Sequence, residues 1–202
     1  GCAVDLRDGN QALINPMNHA RKIKMYNLLV EMGFKEIEIG FPSSSQIEFD
    51  FARYLIDNDL IPKDVAIQVL MQARPHLIER TFEAVKGARR VIMHIYNSTS
   101  VAQRRDVFKM GPDGIAKLAC DGVKMIKDMA KERLETEWAL EYSPESFTGT
   151  ELEVAADICN EVIEAWGPTP QNKMIINLPS TVEMSTPNIY ADQIEWMSTH
   201  LK

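Results

Sequence analysis

Short β-rich runs alternate with amphipathic helical runs along the whole chain, and no other feature restricts its fold as strongly. A parallel strand can be followed by another only after a crossover long enough to hold a helix, so the alternation points to parallel βα units of the α/β class. The first strand closes at Cys2-Ala3-Val4, and Asn15-Pro16 is read as the start of the first helix, with proline at a favoured early position. Ile23, Tyr26, Leu29 and Val30 make its buried stripe, and Gly33 ends it. Residues 36–40 are the second strand. Ser45 and Glu48 then read as a capping box before a helix that buries Phe51, Leu55 and Ile56.

The third strand covers residues 65–71, and Pro75 opens a helix with Ile78, Phe82 and Val85 on one face. The fourth strand covers residues 91–96. A polar loop follows from Asn97 to about Pro112, and its Arg104-Arg105 pair either faces an anion or is simply solvated. Ile115, Leu118, Gly122, Met125, Ile126 and Met129 give the fourth helix its stripe, the methionines reading as core filler. Residues 138–142 form the fifth strand, with Thr150 as N-cap of the next helix and Glu153 three residues on. The sixth strand covers residues 174–178. Thr186-Pro187 starts a final helix with Tyr190, Ile194, Met197 and Leu201 inward.

Composition removes several functional classes. A net charge of -7 argues against nucleic acid or an anionic membrane as the main partner. No apolar run approaches the ~20 residues of a membrane span, and no signal peptide is read at the amino end. Cysteines 2, 120 and 159 form no CxxC pair; Cys159 shares a helical stripe with Ala155, Val162 and Trp166, and Cys120 is placed in or beside a helix.

The stretch Asp5-Leu6-Arg7-Asp8-Gly9-Asn10-Gln11 carries the densest chemistry. Asp8 suits a hard or borderline divalent cation, and Arg7 offers a fixed fork for a developing oxyanion. The same residues equally describe an ordinary ion pair at a strand end. Leu6-Arg7-Asp8-Gly9-Asn10-Gln11, then ten residues, then Lys22, resembles the signature of the 2-isopropylmalate synthase and homocitrate synthase family, the first branch more than the second. The resemblance recurs in Gly40-Phe41-Pro42, in residues 94–100 (His-Ile-Tyr-Asn-Ser-Thr-Ser), in residues 141–146 (Glu-Tyr-Ser-Pro-Glu-Ser) and in residues 177–183 (Asn-Leu-Pro-Ser-Thr-Val-Glu). These blocks span nearly the whole chain in the family's order.

The resemblance implies an incomplete TIM (β/α)8 barrel with about six βα units, residues 1–202 forming a partial catalytic domain. Strands seven and eight, the His-x-His metal ligands, the glycine-rich coenzyme segment and the carboxyl-terminal regulatory domain would then lie elsewhere. It also implies a Claisen-type condensation of acetyl-coenzyme A with 3-methyl-2-oxobutanoate, in leucine biosynthesis, by a cytoplasmic protein that is a homodimer at full length. The implied catalytic residues are Arg7, Glu145 and Glu38, the last as a holder of Arg7 or of the metal site. The implied substrate pocket is Leu70, His94, Tyr96, Ser143, Asn177, Pro179 and Thr181, with Asp8 as ligand of Mg, Mn or Zn. Read from chemistry alone, His94 is a satisfied core histidine sooner than a ligand, and capping the following loop or helix is the alternative role of Glu145. His19, His76 and His200 match nothing in the family and are read as surface or packing residues. Residues 1–202 alone are expected to be inactive, since one carboxylate is a poor divalent site. Competing expectations are a homocitrate or citramalate synthase, a lyase of 3-hydroxyacyl thioesters, and a catalytically silent binding domain.

Overall fold

The computed structural model describes residues 1–202, in which six strands alternate with six long helices. The strands are β1 (Cys2–Ala3), β2 (Glu36–Gly40), β3 (Ala66–Gln72), β4 (Arg90–Ser98), β5 (Glu137–Glu145) and β6 (Met174–Ile176). The helices are α1 (His19–Glu31), α2 (Gln46–Asp57), α3 (Pro75–Val85), α4 (Pro112–Lys131), α5 (Leu152–Trp166) and α6 (Pro187–His200). Sheet order equals chain order, β1-β2-β3-β4-β5-β6, which is the connectivity of an incomplete TIM barrel. Contacts group the residues into two compact units: 1–71 with 75–94 and 129–139, and 72–74 with 95–128 and 140–202.

In the first unit β2 pairs in parallel with β1 and with β3. Residues 66–71 of β3 are buried without interruption, as expected of a parallel strand covered on both faces. Leu6, Ile37, Ile67, Tyr26, Phe51, Leu55 and Phe82 fill the core. The first helix begins at His19, three residues beyond the Asn15-Pro16 start read from sequence. The side chain of Asn10 accepts the Met17 N–H at 2.6 Å and keeps the intervening residues in a loop, while Asn18 caps the helix by accepting the Arg21 N–H at 3.0 Å. Ser45 caps α2 as expected, accepting the Glu48 N–H at 3.3 Å. The capping box is only half made, because the Glu48 carboxylate turns instead to Lys22 and to the Phe41 N–H. Phe51 and Leu55 are buried and Ile56 is half-buried. α3 begins at Pro75 and buries Ile78, Phe82 and Val85, as read.

In the second unit β5 pairs in parallel with β6. The buried face of α4 runs through Ile115, Ala116, Ala119, Val123 and Ile126, leaving Leu118 and Met125 half-buried. Gly122 lies where a Cβ would come within 2.8 Å of Ile95, so its absence lets α4 approach the sheet. The stretch after β4 is not a plain loop: Val101–Gln103 and Arg104–Phe108 are helical turns. Arg104 is buried against Glu151, whereas Arg105 pairs with Asp106 at the surface. Thr150 does not cap α5. Its hydroxyl donates to the Ser146 carbonyl at 3.0 Å and meets the Thr99 hydroxyl at 2.8 Å, so Glu151 takes the cap position. Ala155, Cys159, Val162 and Trp166 form the buried stripe of α5, and burial pushes the Cys159 thiol up to about 12. α6 starts at Thr186-Pro187 as read, with Met197 its buried residue. No helix is long and apolar enough to cross a membrane.

Candidate active site

Three polar residues interrupt the apolar strands of the first unit, and all three are buried: Glu38 on β2, Gln68 on β3 and His94 on β4. Parallel pairing places Glu38 opposite Gln68, so their side chains share one face of the sheet. Arg7 reaches them from the π-helical turn Asp5–Gly9 that follows β1. That turn is closed by the Arg7 and Gly9 N–H groups donating to the Val4 carbonyl at 3.2 and 3.1 Å, and it is anchored by Leu6, which is wholly buried.

The Glu38 carboxylate collects donors on both oxygens. Arg7 donates through Nε to Oε1 at 2.5 Å. Gln68 Nε2 donates to Oε2 at 2.7 Å, and His94 Nδ1 lies 2.6 Å from that same oxygen. Burial by itself would raise the Glu38 carboxyl, but the hydrogen bond and charge of His94, then Arg7 and Gln68, outweigh it and hold the group at about 2. An ionised carboxylate only accepts, so His94 Nδ1 carries a proton and donates it toward Glu38. Leu70, two residues beyond Gln68 on β3, is also buried.

Asp8 stands differently. Its side chain is 57% exposed, and its Oδ1 accepts from Arg7 and from Gln11, each at 3.0 Å. No group of three or more His, Cys, Asp or Glu side chains is arranged to hold a metal ion. The residues present therefore do not make a divalent site by themselves; Asp8 offers one oxygen.

The signature lysine is structural in this unit. Lys22 is buried and paired with Glu48, which also accepts the Phe41 N–H at 3.0 Å. A Cβ at Gly40 would collide with that carboxylate, which explains a glycine at the head of Gly40-Phe41-Pro42.

In the second unit the polar residues ending β4, β5 and β6 also engage one another. Tyr96 accepts at its hydroxyl from Gln72 Nε2 at 2.9 Å. Ser98 donates to the Glu145 carboxylate, so Glu145 is engaged across the sheet rather than capping a helix. Asn177 donates to the Ser143 hydroxyl at 2.8 Å, and Thr181 accepts the Ser146 N–H at 3.0 Å. Pro179 is half-buried between them in sequence. Beneath this layer the Tyr142 hydroxyl donates to Asn97 at 2.8 Å, and Asn97 donates to the Ile115 carbonyl at 3.0 Å. Outside both sets, His19 packs edge-on to Phe51 and Tyr54, His200 stacks on Trp196, and His76 is exposed.

Sequence reading brought Arg7 and Glu38 together and named His94, but it passed over Gln68, Gln72 and Ser98. The signal for Gln68 is a single amide in the run Ala66-Ile67-Gln68-Val69-Leu70-Met71, where every neighbour is apolar. Ser98 lies inside a quoted motif, yet a serine at a strand end has no local feature that names its partner.

A model of the family described as HMGL-like matches residues 1–202. The 2-isopropylmalate synthase of Kineococcus radiotolerans is 62% identical over 200 residues, covering 99% of this chain and 35% of that protein. The synthase of the same name from Corynebacterium glutamicum (strain R) is 63% identical over 196 residues, 97% of this chain and 32% of its own length. That of Rhizobium johnstonii is 64% identical over 200 residues, 99% of this chain and 36% of its own length. The chain thus spans about a third of the length of these curated relatives. Among solved structures, the HMG-CoA lyase from Brucella melitensis superposes with a TM-score of 0.68 at 16% identity, covering 98% of this chain and 66% of that one. The Bacillus subtilis HMG-CoA lyase gives 0.67 at 17% identity, covering 96% and 62%. At these identities the likeness is one of fold.

Proposed function

The chain belongs to the HMGL-like family, and on that footing we propose that it is the partial catalytic domain of a 2-isopropylmalate synthase. The reaction condenses acetyl-coenzyme A with 3-methyl-2-oxobutanoate: a methyl C–H loses its proton, the enolate carbon attacks the keto carbon, and thioester hydrolysis releases coenzyme A and 2-isopropylmalate. The observation that carries this reading is identity of 62–64% to synthases of that name across 97–99% of the chain.

The residues divide the work by chemistry. Arg7 stabilises negative charge on a reacting oxygen, its fork oriented by the buried Glu38 carboxylate. Glu145, held by Ser98, positions substrate or handles the proton. Leu70 and Pro179 are apolar groups suited to a branched tail; His94, Tyr96, Ser143, Asn177 and Thr181 are polar groups suited to an oxoacid. Asp8 would give one oxygen to a divalent cation (Mg, Mn or Zn). Family and cysteine usage, with no CxxC pair and no disulfide framework in the sequence, support a cytoplasmic protein. We place the full-length protein as a homodimer.

The test is thiol release from acetyl-coenzyme A by the full-length polypeptide that carries this chain, with and without 3-methyl-2-oxobutanoate, and mass-spectrometric identification of the product. Oxoacid-dependent thiol release with formation of 2-isopropylmalate is the expected result; its absence overturns the reading. Residues 1–202 alone are expected to release no thiol at the rate of an intact synthase.

A further inference from the structure

We propose that Gln68 is a positioning residue: its side-chain amide fixes the plane of the Glu38 carboxylate, with one oxygen on Arg7 and the other on His94 Nδ1, and through that contact holds the His94 proton on Nδ1. Glu38 and Gln68 are register partners on adjacent parallel strands, and both are buried. Gln68 Nε2 lies 2.7 Å from Glu38 Oε2. The reverse orientation of the amide would set oxygen against carboxylate oxygen, acceptor against acceptor, so the Glu38 charge dictates which end faces it.

That orientation has a visible penalty. Gln68 Oε1 is buried and has no hydrogen-bond partner. A strand selected for stability alone would carry an apolar residue at position 68, as it does at 66, 67, 69, 70 and 71. Leaving a buried acceptor unsatisfied makes sense only if the other end of the amide is needed where it is. Its effect there is geometric. With Gln68 and His94 both on Oε2, the carboxylate cannot turn about its own axis, and Oε1 stays aimed at Arg7 Nε. The 3.3 Å separation of Gln68 Nε2 from His94 Nδ1 is then two donors converging on one oxygen rather than a bond between them.

The inference rests on the proposed function only for its activity measurement. In the full-length polypeptide, Gln68→Met removes the donor and the orphaned acceptor at similar volume, and Gln68→Glu keeps the shape but replaces the donor. Three quantities decide: the His94 tautomer from long-range proton–nitrogen NMR, assigned with His94→Gln; the thermal midpoint; and kcat with KM. Gln68→Met is expected to unfold no earlier than the parent, to lose the single Nδ1–H signature, and to lose kcat by about 10–100-fold. Gln68→Glu is expected to disturb the same NMR signature. An unchanged Nδ1–H signature in either variant overturns the proposal, as does a Gln68→Met loss of stability that accounts for its loss of activity. If Gln68→Met does not fold, the Gln68→Glu signature decides. A parent protein without oxoacid-dependent thiol release would sink the proposed function, while the NMR comparison would still judge Gln68.

Discussion

The Arg7 guanidinium lies 2.5 Å, Nε to Oε1, from a Glu38 carboxylate that has no exposed surface. A buried carboxylate of this kind persists only because donors surround it: Arg7 and Gln68, with His94 beside them. The same contacts that permit the charge also aim the arginine, so one carboxylate links the stability of the first unit to its chemistry.

Glu38→Gln should therefore destabilise the protein strongly. It leaves the Arg7 charge facing an amide and removes one acceptor from His94, a loss of about 3–5 kcal/mol. Urea unfolding followed by far-UV circular dichroism measures it; an unchanged midpoint would show that the cluster relaxes around the substitution.

Acid stability follows from the same group. The ordinary Glu38 value is 4.5, and folding holds it at about 2. Between those values the unfolded chain binds the proton and the folded chain does not. The contribution is complete above about 4.5 and is lost as pH falls through about 2. Unfolding free energy measured across that window should fall steeply in the parent and more gently in Glu38→Gln.

Gly40→Ala tests the structural part of the signature. The added methyl drives the Glu48 carboxylate off Lys22 and the Phe41 N–H, which costs about 1–3 kcal/mol. A denaturant midpoint equal to that of the parent would mean that Glu48 finds another rotamer without penalty.

Ser98→Ala should separate activity from folding. Ser98 donates to Glu145, and a hydrogen bond to a charged group is worth about 1.5–3 kcal/mol, so kcat should drop by roughly 10–100-fold. The thermal midpoint should move little, because Thr99 and Thr150 still hold this corner of the second unit. Retained kcat would remove Ser98 from the machinery around Glu145.

The misread boundaries share one cause. Asn15-Pro16 has the composition of a helix start, yet Asn10, two turns of chain earlier, binds the Met17 N–H, and the helix starts at His19. Thr150 has the composition of a cap, yet its hydroxyl serves Ser146 and Thr99. Glu48 occupies the reciprocal position of a capping box, but a buried Lys22 from another helix outcompetes Ser45 for its carboxylate. In each case a side chain outside the cap pattern claimed the group, from seven residues away at Asn10, from Thr99 at Thr150 and from Lys22 at Glu48.

What the sequence determined by itself was the number, order and class of the elements, because hydrophobic periodicity and the residues that start and stop helices act over a few neighbours. Motif resemblance also singled out Arg7, Glu38, His94 and Glu145. Only the tertiary structure decided which polar groups meet. Glu38 faces Gln68 because β2 and β3 pair in one register, and a slip of one residue would send each side chain to the opposite face. Register is set by the packing of the whole sheet, and no stretch of chain around residue 38 or residue 68 contains it.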